Sequence, residues 1–145
     1  MRKKNALTKY YVAAIPEDGQ EPEYFRLGKW INNVEDDSDE ETEEQGFYDG
    51  DGTAETDVIS VKKTYTFSGY YDDEDPAMRF IGSLEFETGE ARKIMFKQER
   101  TNGQVLEGIA TVSGIVTTGG EATEYATFEC TISWDQKPEV VSATP

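Results

Sequence analysis

Cys130 is the one thiol among the 145 residues of this chain, and the sequence contains no histidine to take its proton. Without that base, thiol nucleophilic catalysis, Ser-His-Asp hydrolysis and the usual zinc ligand sets are excluded. Cys130 therefore reads as a small buried apolar residue, and a lone cysteine forms no intrachain disulfide. The 30 acidic residues offer a different chemistry, a carboxylate pair working as general acid and base. One member of such a pair needs apolar surroundings to raise its pKa, and the acids crowd instead into a polar stretch. Calcium is the stronger challenger, because Asp49-Gly50-Asp51-Gly52 supplies hard oxygen ligands in the manner of an EF-hand fragment. The full order of alternating ligands, with glycine sixth and glutamate twelfth, is not met. What that stretch offers is at most a weak cation site between subunits. No glycine-rich phosphate loop with a placed lysine follows any strand. The expectation is a non-enzyme with no cofactor and no resident metal.

Fourteen basic residues against the 30 acids leave a net charge of -16, which repels phosphate and argues against a groove that grips nucleic acid. The same charge lining a conduit would keep DNA off its wall over about one Debye length, roughly 10 Å at 0.1 M salt. The basic start Arg2-Lys3-Lys4 is not followed by the apolar run of a secretory signal, and no eighteen apolar residues occur together. A soluble chain is expected, with no membrane partner.

The elements that would position these groups are mostly strands. Residues 8–15, with Tyr10, Tyr11, Val12 and Ile15, and residues 24–31 read as two strands able to form a hairpin, the second closed by an Asn32-Asn33 turn. Residues 35–57 hold Asp36, Asp37, Asp39, Glu40, Glu41, Glu43 and Glu44 with almost no apolar residue. Such a block repels itself, so it reads as a long loop, anchored by Phe47 and Tyr48. Ile59, Val61, Tyr65 and Phe67 then share the dry face of one strand, opposite Lys62, Thr64 and Thr66. Asp75 before Pro76 makes an N-cap, and Ala77, Phe80, Ile81 and Leu84 follow at helical spacing. Residues 91–100 and 105–117 flank the hairpin signal Asn102-Gly103, and residues 126–134 alternate Phe128, Cys130, Ile132 and Trp134 against Thr127, Glu129, Thr131 and Ser133. The sum is a mainly β domain spanning residues 1–145: two packed antiparallel sheets, one flanking short helix and a long acidic loop. Residues 1–7 and 136–145 are expected to be flexible arms.

Three segments taken in order carry a resemblance. The strand ending Gly28-Lys29-Trp30 with its acidic loop closing in Tyr48-Asp49-Gly50-Asp51-Gly52, then Phe67-Ser68-Gly69-Tyr70-Tyr71 before Asp75-Pro76-Ala77, then Phe128-Glu129-Cys130-Thr131-Ile132-Ser133-Trp134-Asp135 resemble the major tail (tail tube) proteins of siphophages infecting low-GC Gram-positive bacteria. The resemblance implies a β-sandwich whose copies form hexameric rings that stack into a hollow tube for passing double-stranded DNA. Its implied partners are other copies of itself, a tape-measure protein, and tail tip and tail terminator proteins. Its implied place is the virion tail, assembled in the host cytoplasm. The long loop, with Asp36, Asp37, Asp39, Glu40, Glu41, Glu43, Glu44, Phe47 and Tyr48, would reach an adjacent ring. Basic partners for it would come from Arg2, Lys3, Lys4, Arg79, Arg92 and Lys93. Lumen-facing candidates are Lys62, Thr64, Thr66, Thr127, Glu129 and Thr131.

Three other readings predict different behaviour. A tail terminator or head-tail connector would close rings without building tubes. An acidic DNA mimic would bind a basic enzyme one to one, with steep salt dependence. A calcium-dependent adhesion sandwich would melt higher with calcium.

Overall fold

A computed structural model describes residues 2–46, 48, 50 and 52–143. Eight strands form one antiparallel sheet in the order β2-β1-β7-β8-β9-β6-β3, with β10 also on β8. Their ranges are β1 Lys9–Ala13, β2 Phe25–Arg26, β3 Ile31–Asp36, β6 Thr64–Tyr70, β7 Lys93–Glu99, β8 Gln104–Val116, β9 Thr127–Trp134 and β10 Glu139–Ala143. Strands β4 Asp39–Gln45 and β5 Glu55–Lys62 pair separately as a two-stranded hairpin, and α1 spans Pro76–Gly82.

The sheet folds over on itself, and β8 is where it turns. The first part of this 13-residue strand pairs with β7 and the last part with β9, so the two neighbours overlap only near Ala110 and Thr111. A register shift between Ser113 and Val116, with Gly114 at φ 59°, bends the strand beyond that point. Tyr10 of β1 meets Phe67 of β6 edge to face at 4.9 Å, although three strands separate β1 from β6 in the sheet order. Phe96 of β7 likewise meets Trp134 of β9 at 5.0 Å. Such contacts require two stacked layers. The expected pair of packed antiparallel layers with one short helix is present, and hydrogen bonds run continuously from one layer into the other.

Alternation places the core. Tyr65 and Phe67 of β6, Ile94 and Phe96 of β7, and Phe128, Cys130, Ile132 and Trp134 of β9 are all buried. Full burial of each large side chain contributes about 2 to 3 kcal/mol before entropy is subtracted. Trp134 meets its polar need by donating Nε1–H to the Phe96 carbonyl. Burial pushes the Cys130 thiol well up from its ordinary value. A thiol-reactive dye is therefore expected to leave native protein unlabelled and to label one site after denaturation; fast labelling of the native chain would contradict this packing.

Helix α1 starts where a cap and proline permit it, with the Asp75 carboxylate accepting from the Met78 amide at 3.2 Å. Its Ala77, Met78 and Ile81 are buried, and it packs on β1, β2 and β8.

Four expectations change. Ile59 and Val61 do not share a dry face with Tyr65 and Phe67: β5 and β6 are separate strands, and Ile59 and Val61 are exposed because no layer covers the hairpin. The acidic excursion leaves the body as expected, yet residues 39–45 and 55–62 form a ladder within it. Residues 136–145 are not simply an arm, because β10 continues the line of β9 along β8. Asn32-Asn33 lies inside β3, and the chain turns at Trp30, which has φ 68°.

The Trp30 turn is held from several sides. Its indole donates Nε1–H to Asp72 at 2.9 Å, and its carbonyl accepts from the Tyr70 amide at 3.1 Å. Lys29 Nζ sits 5.5 Å from the indole. These contacts offset a left-handed backbone that costs about 1 to 3 kcal/mol.

Candidate functional site

Three surfaces stand out once the layers are in place: an exposed hairpin, a hydroxyl-rich sheet face, and an open seam between the first and last strands of the sheet.

The hairpin carries seven acids and one lysine on its two strands. Only Asp39 and Lys62 bring opposite charges into register, while Glu43 lies across from Asp57. Cross-strand like charges destabilise, and an isolated two-stranded ribbon is marginal in water. What favours the ladder is its β-branched residues, and Val58, Ile59 and Val61 are each more than half exposed. Apolar side chains on an arm that covers nothing suit a surface that another molecule covers.

At the hairpin's root Asp36 ends β3 and pairs with Lys63 at 3.5 Å. The Ser38 hydroxyl hydrogen bond, chiefly, and then Lys63 hold the Asp36 carboxyl below its usual range. Asp37 accepts from the Thr66 hydroxyl at 2.6 Å. Thus Asp36 and Asp37 are tied to the body, whereas Asp39, Glu40, Glu41, Glu43 and Glu44 stand along β4. Tyr48 is fully exposed and anchors nothing among the described residues; Phe47, its expected partner in anchoring, lies outside them.

The lumen candidates divide. Thr64 and Thr66 of β6 lie beside Ser133 and Thr131 of β9, and Ser68 lies beside Glu129. The Thr64 and Ser133 hydroxyls are 3.1 Å apart, and those of Thr66 and Thr131 are 3.4 Å apart. Thr127, across from Tyr70, completes the row. Glu35 of β3 and Ser113 of β8 extend the face on either side. Five of the six candidates therefore share one face, opposite the core, and none of these neighbours is basic. Lys62 is apart from them, on β5 facing Asp39.

The seam arises because β2 and β3 close opposite ends of the sheet order yet are consecutive in the chain. Arg26 and Ile31 are five residues apart, so the two edges stay within roughly 18 Å. Between them lies a cleft of about 720 Å³ floored by Tyr10, Tyr65 and Gln98. Lys9, Arg26, Lys63 and Arg100 line it, with Asp36 as the only carboxylate among the lining residues. Lys63 is paired with Asp36; Lys9, Arg26 and Arg100 make no ion pair among the described residues. Three of the six expected basic partners have contacts within the chain. Arg92 donates to the Glu85 and Glu87 carbonyls, Lys93 pairs with Asp135 at 2.7 Å, and Lys3 donates to the Thr101 carbonyl. Sequence reading missed Lys9, Arg26 and Arg100, and no spacing signal joins residues so far apart.

No cluster of three or more potential metal ligands occurs among the described residues, and no described helix is long and apolar enough to cross a membrane.

No protein-family model and no curated protein matches the chain. Solved structures do. A chain from the tail of an empty gene transfer agent particle, refined with C6 symmetry, matches with TM-score 0.71 and 11% identity, over 97% of this chain and 100% of that one. The tail tube of SPP1 matches with TM-score 0.64 and 13% identity, over 94% and 80%. A chain of the sheath-tube complex of an extracellular contractile injection system matches with TM-score 0.54 and 16% identity, over 92% and 88%.

Proposed function

We propose that this chain, whose fold is that of tail tube subunits, is itself the repeating subunit of a tail tube. Copies form hexameric rings, the rings stack, and double-stranded DNA crosses the bore during ejection. The observation that carries this reading is the end-to-end match: 97% of the chain superposes on all of a chain from a gene transfer agent tail. The sixfold symmetry of that tail supports six copies per ring. The resemblance found in the sequence adds a siphophage of Gram-positive bacteria, and with it tape-measure, tail tip and tail terminator partners and a site in the virion tail.

The face bearing Thr64, Thr66, Thr127, Glu129 and Thr131 is the proposed wall of the bore. A row of hydroxyls with scattered carboxylates, whose cross-strand line reaches a lysine only at Lys93, itself paired with Asp135, gives passing DNA little to grip. The unpaired outer edges of β2 and β3 supply pairing surface for neighbouring copies, a use that a free monomer does not have.

Negative-stain electron microscopy of concentrated protein tests the proposal, with tail tip proteins supplied if nucleation requires them. Tubes of uniform width are expected. Closed rings that never lengthen would assign the chain to a terminator or connector, and a monomer at every salt and concentration would overturn the assembly reading altogether.

A further inference from the structure

The geometry points to the seam cleft of one copy as the receptor for the acidic hairpin of another. This partner assignment rests on the self-assembly proposed above. In a chain with 30 acids and 14 bases, a cleft lined by four cations and one carboxylate reverses the local charge, and three of those cations make no ion pair among the described residues. Lys9, Arg26 and Arg100 line it from β1, β2 and the residue after β7, with Glu99 across from Lys9 in the β1–β7 ladder. The complementary surface is on the same molecule, in the seven acids of β4 and β5.

The hairpin does not serve its own cleft. Its root residues Asp36 and Lys63 line the cleft, and none of its strand residues does. A seven-residue ladder at about 3.4 Å per residue holds its far end roughly 20 Å beyond that root. The acids are thus carried away from their own cations and toward another copy's. The cleft also has the backbone for it: β3 forms one rim as the outermost strand of the sheet, so its outer edge has no strand neighbour. An incoming strand can add to such an edge by main-chain hydrogen bonds while its carboxylates meet the cations.

Because each copy donates one surface and receives on a different one, a copy that gives its hairpin to one neighbour and takes that of another is joined head to tail, and such a contact closes a ring or propagates as the proposed tube requires.

Charge reversal in two halves tests this. In the first variant Lys9→Glu and Arg26→Glu make the cleft acidic while the hairpin stays acidic. In the second, Glu40→Lys, Glu41→Lys, Glu43→Lys and Glu44→Lys make the hairpin basic while the cleft stays basic. All six side chains are exposed, and circular dichroism and melting check each fold. Sedimentation should show each variant alone associating at least tenfold more weakly than wild type, whereas an equal mixture, in which every hairpin meets an opposite cleft, assembles again. If wild type forms tubes and both variants do so equally well alone, the hairpin-cleft contact is wrong while the tube reading stands. A mixture that stays dissociated overturns it too. So does a short DNA duplex held by wild type and released by the first variant with self-association unchanged, which would give the cleft to nucleic acid. A wild-type chain that never self-associates removes both the contact and the tube.

Discussion

Gly69→Ala is expected to cost about 3 kcal/mol or more, because a side chain there demands movement of backbone and not of a yielding side-chain tip. A β-carbon at this position would lie 2.0 Å from the Trp30 carbonyl oxygen and 2.9 Å from the Ile31 α-carbon. The contact cannot be relieved locally. The same carbonyl accepts from the Tyr70 amide, and Ile31 faces Gly69 across the β3–β6 pair. Moving the chain at Trp30 breaks that hydrogen bond, releases the indole from Asp72 and frees the edge strand. Thermal melting should fall by roughly 6 to 12 °C for a domain of this size. Gly108→Ala is the matched control, also inside a strand. Its added carbon would sit 3.5 Å from the Pro138 α-carbon and the Trp134 ring, an ordinary contact, so a change within about 1 kcal/mol is expected. Equal melting of the two variants would show that the Trp30 crossing is not packed as described.

The second large effect is on assembly and not on stability. Excising residues 39–62 and joining Ser38 to Lys63 through an Asn-Gly turn is expected to leave the free subunit melting within a few degrees of wild type. Every described side chain of β5 is exposed, so the hairpin adds no burial to the core. The cut is also geometrically mild. Strands β3 and β6 are already antiparallel neighbours, and the Asp37 amide donates to the Thr64 carbonyl at 2.9 Å. A short turn can close the pair there. Tube formation, by contrast, should be lost, since the main acidic arm and the exposed Val58, Ile59 and Val61 leave together. Tubes at the wild-type critical concentration would show the hairpin to be dispensable, and an unfolded product would show that it supports the body.

Which faces of the long strands are dry was legible in the amino-acid sequence, as was the lack of any histidine-based chemistry. Phe128, Cys130, Ile132 and Trp134 are buried because alternation is a property of the extended backbone, whatever lies next to it. Asp75 caps α1 for an equally local reason, since cap, proline and first turn are neighbours in the chain. Only the tertiary structure decided where alternation stops meaning burial. Val58 to Val61 and Tyr65 to Phe67 read alike, yet one run projects from the body and the other is covered by β1 and β7. It also decided that the turn falls at Trp30, because the partners holding it, Tyr70 and Asp72, lie 40 or more residues ahead. The seam is the clearest case. Lys9, Arg26 and Arg100 become one surface when the sheet curls until its ends come together, and no local pattern encodes the meeting of residues drawn from opposite parts of the chain.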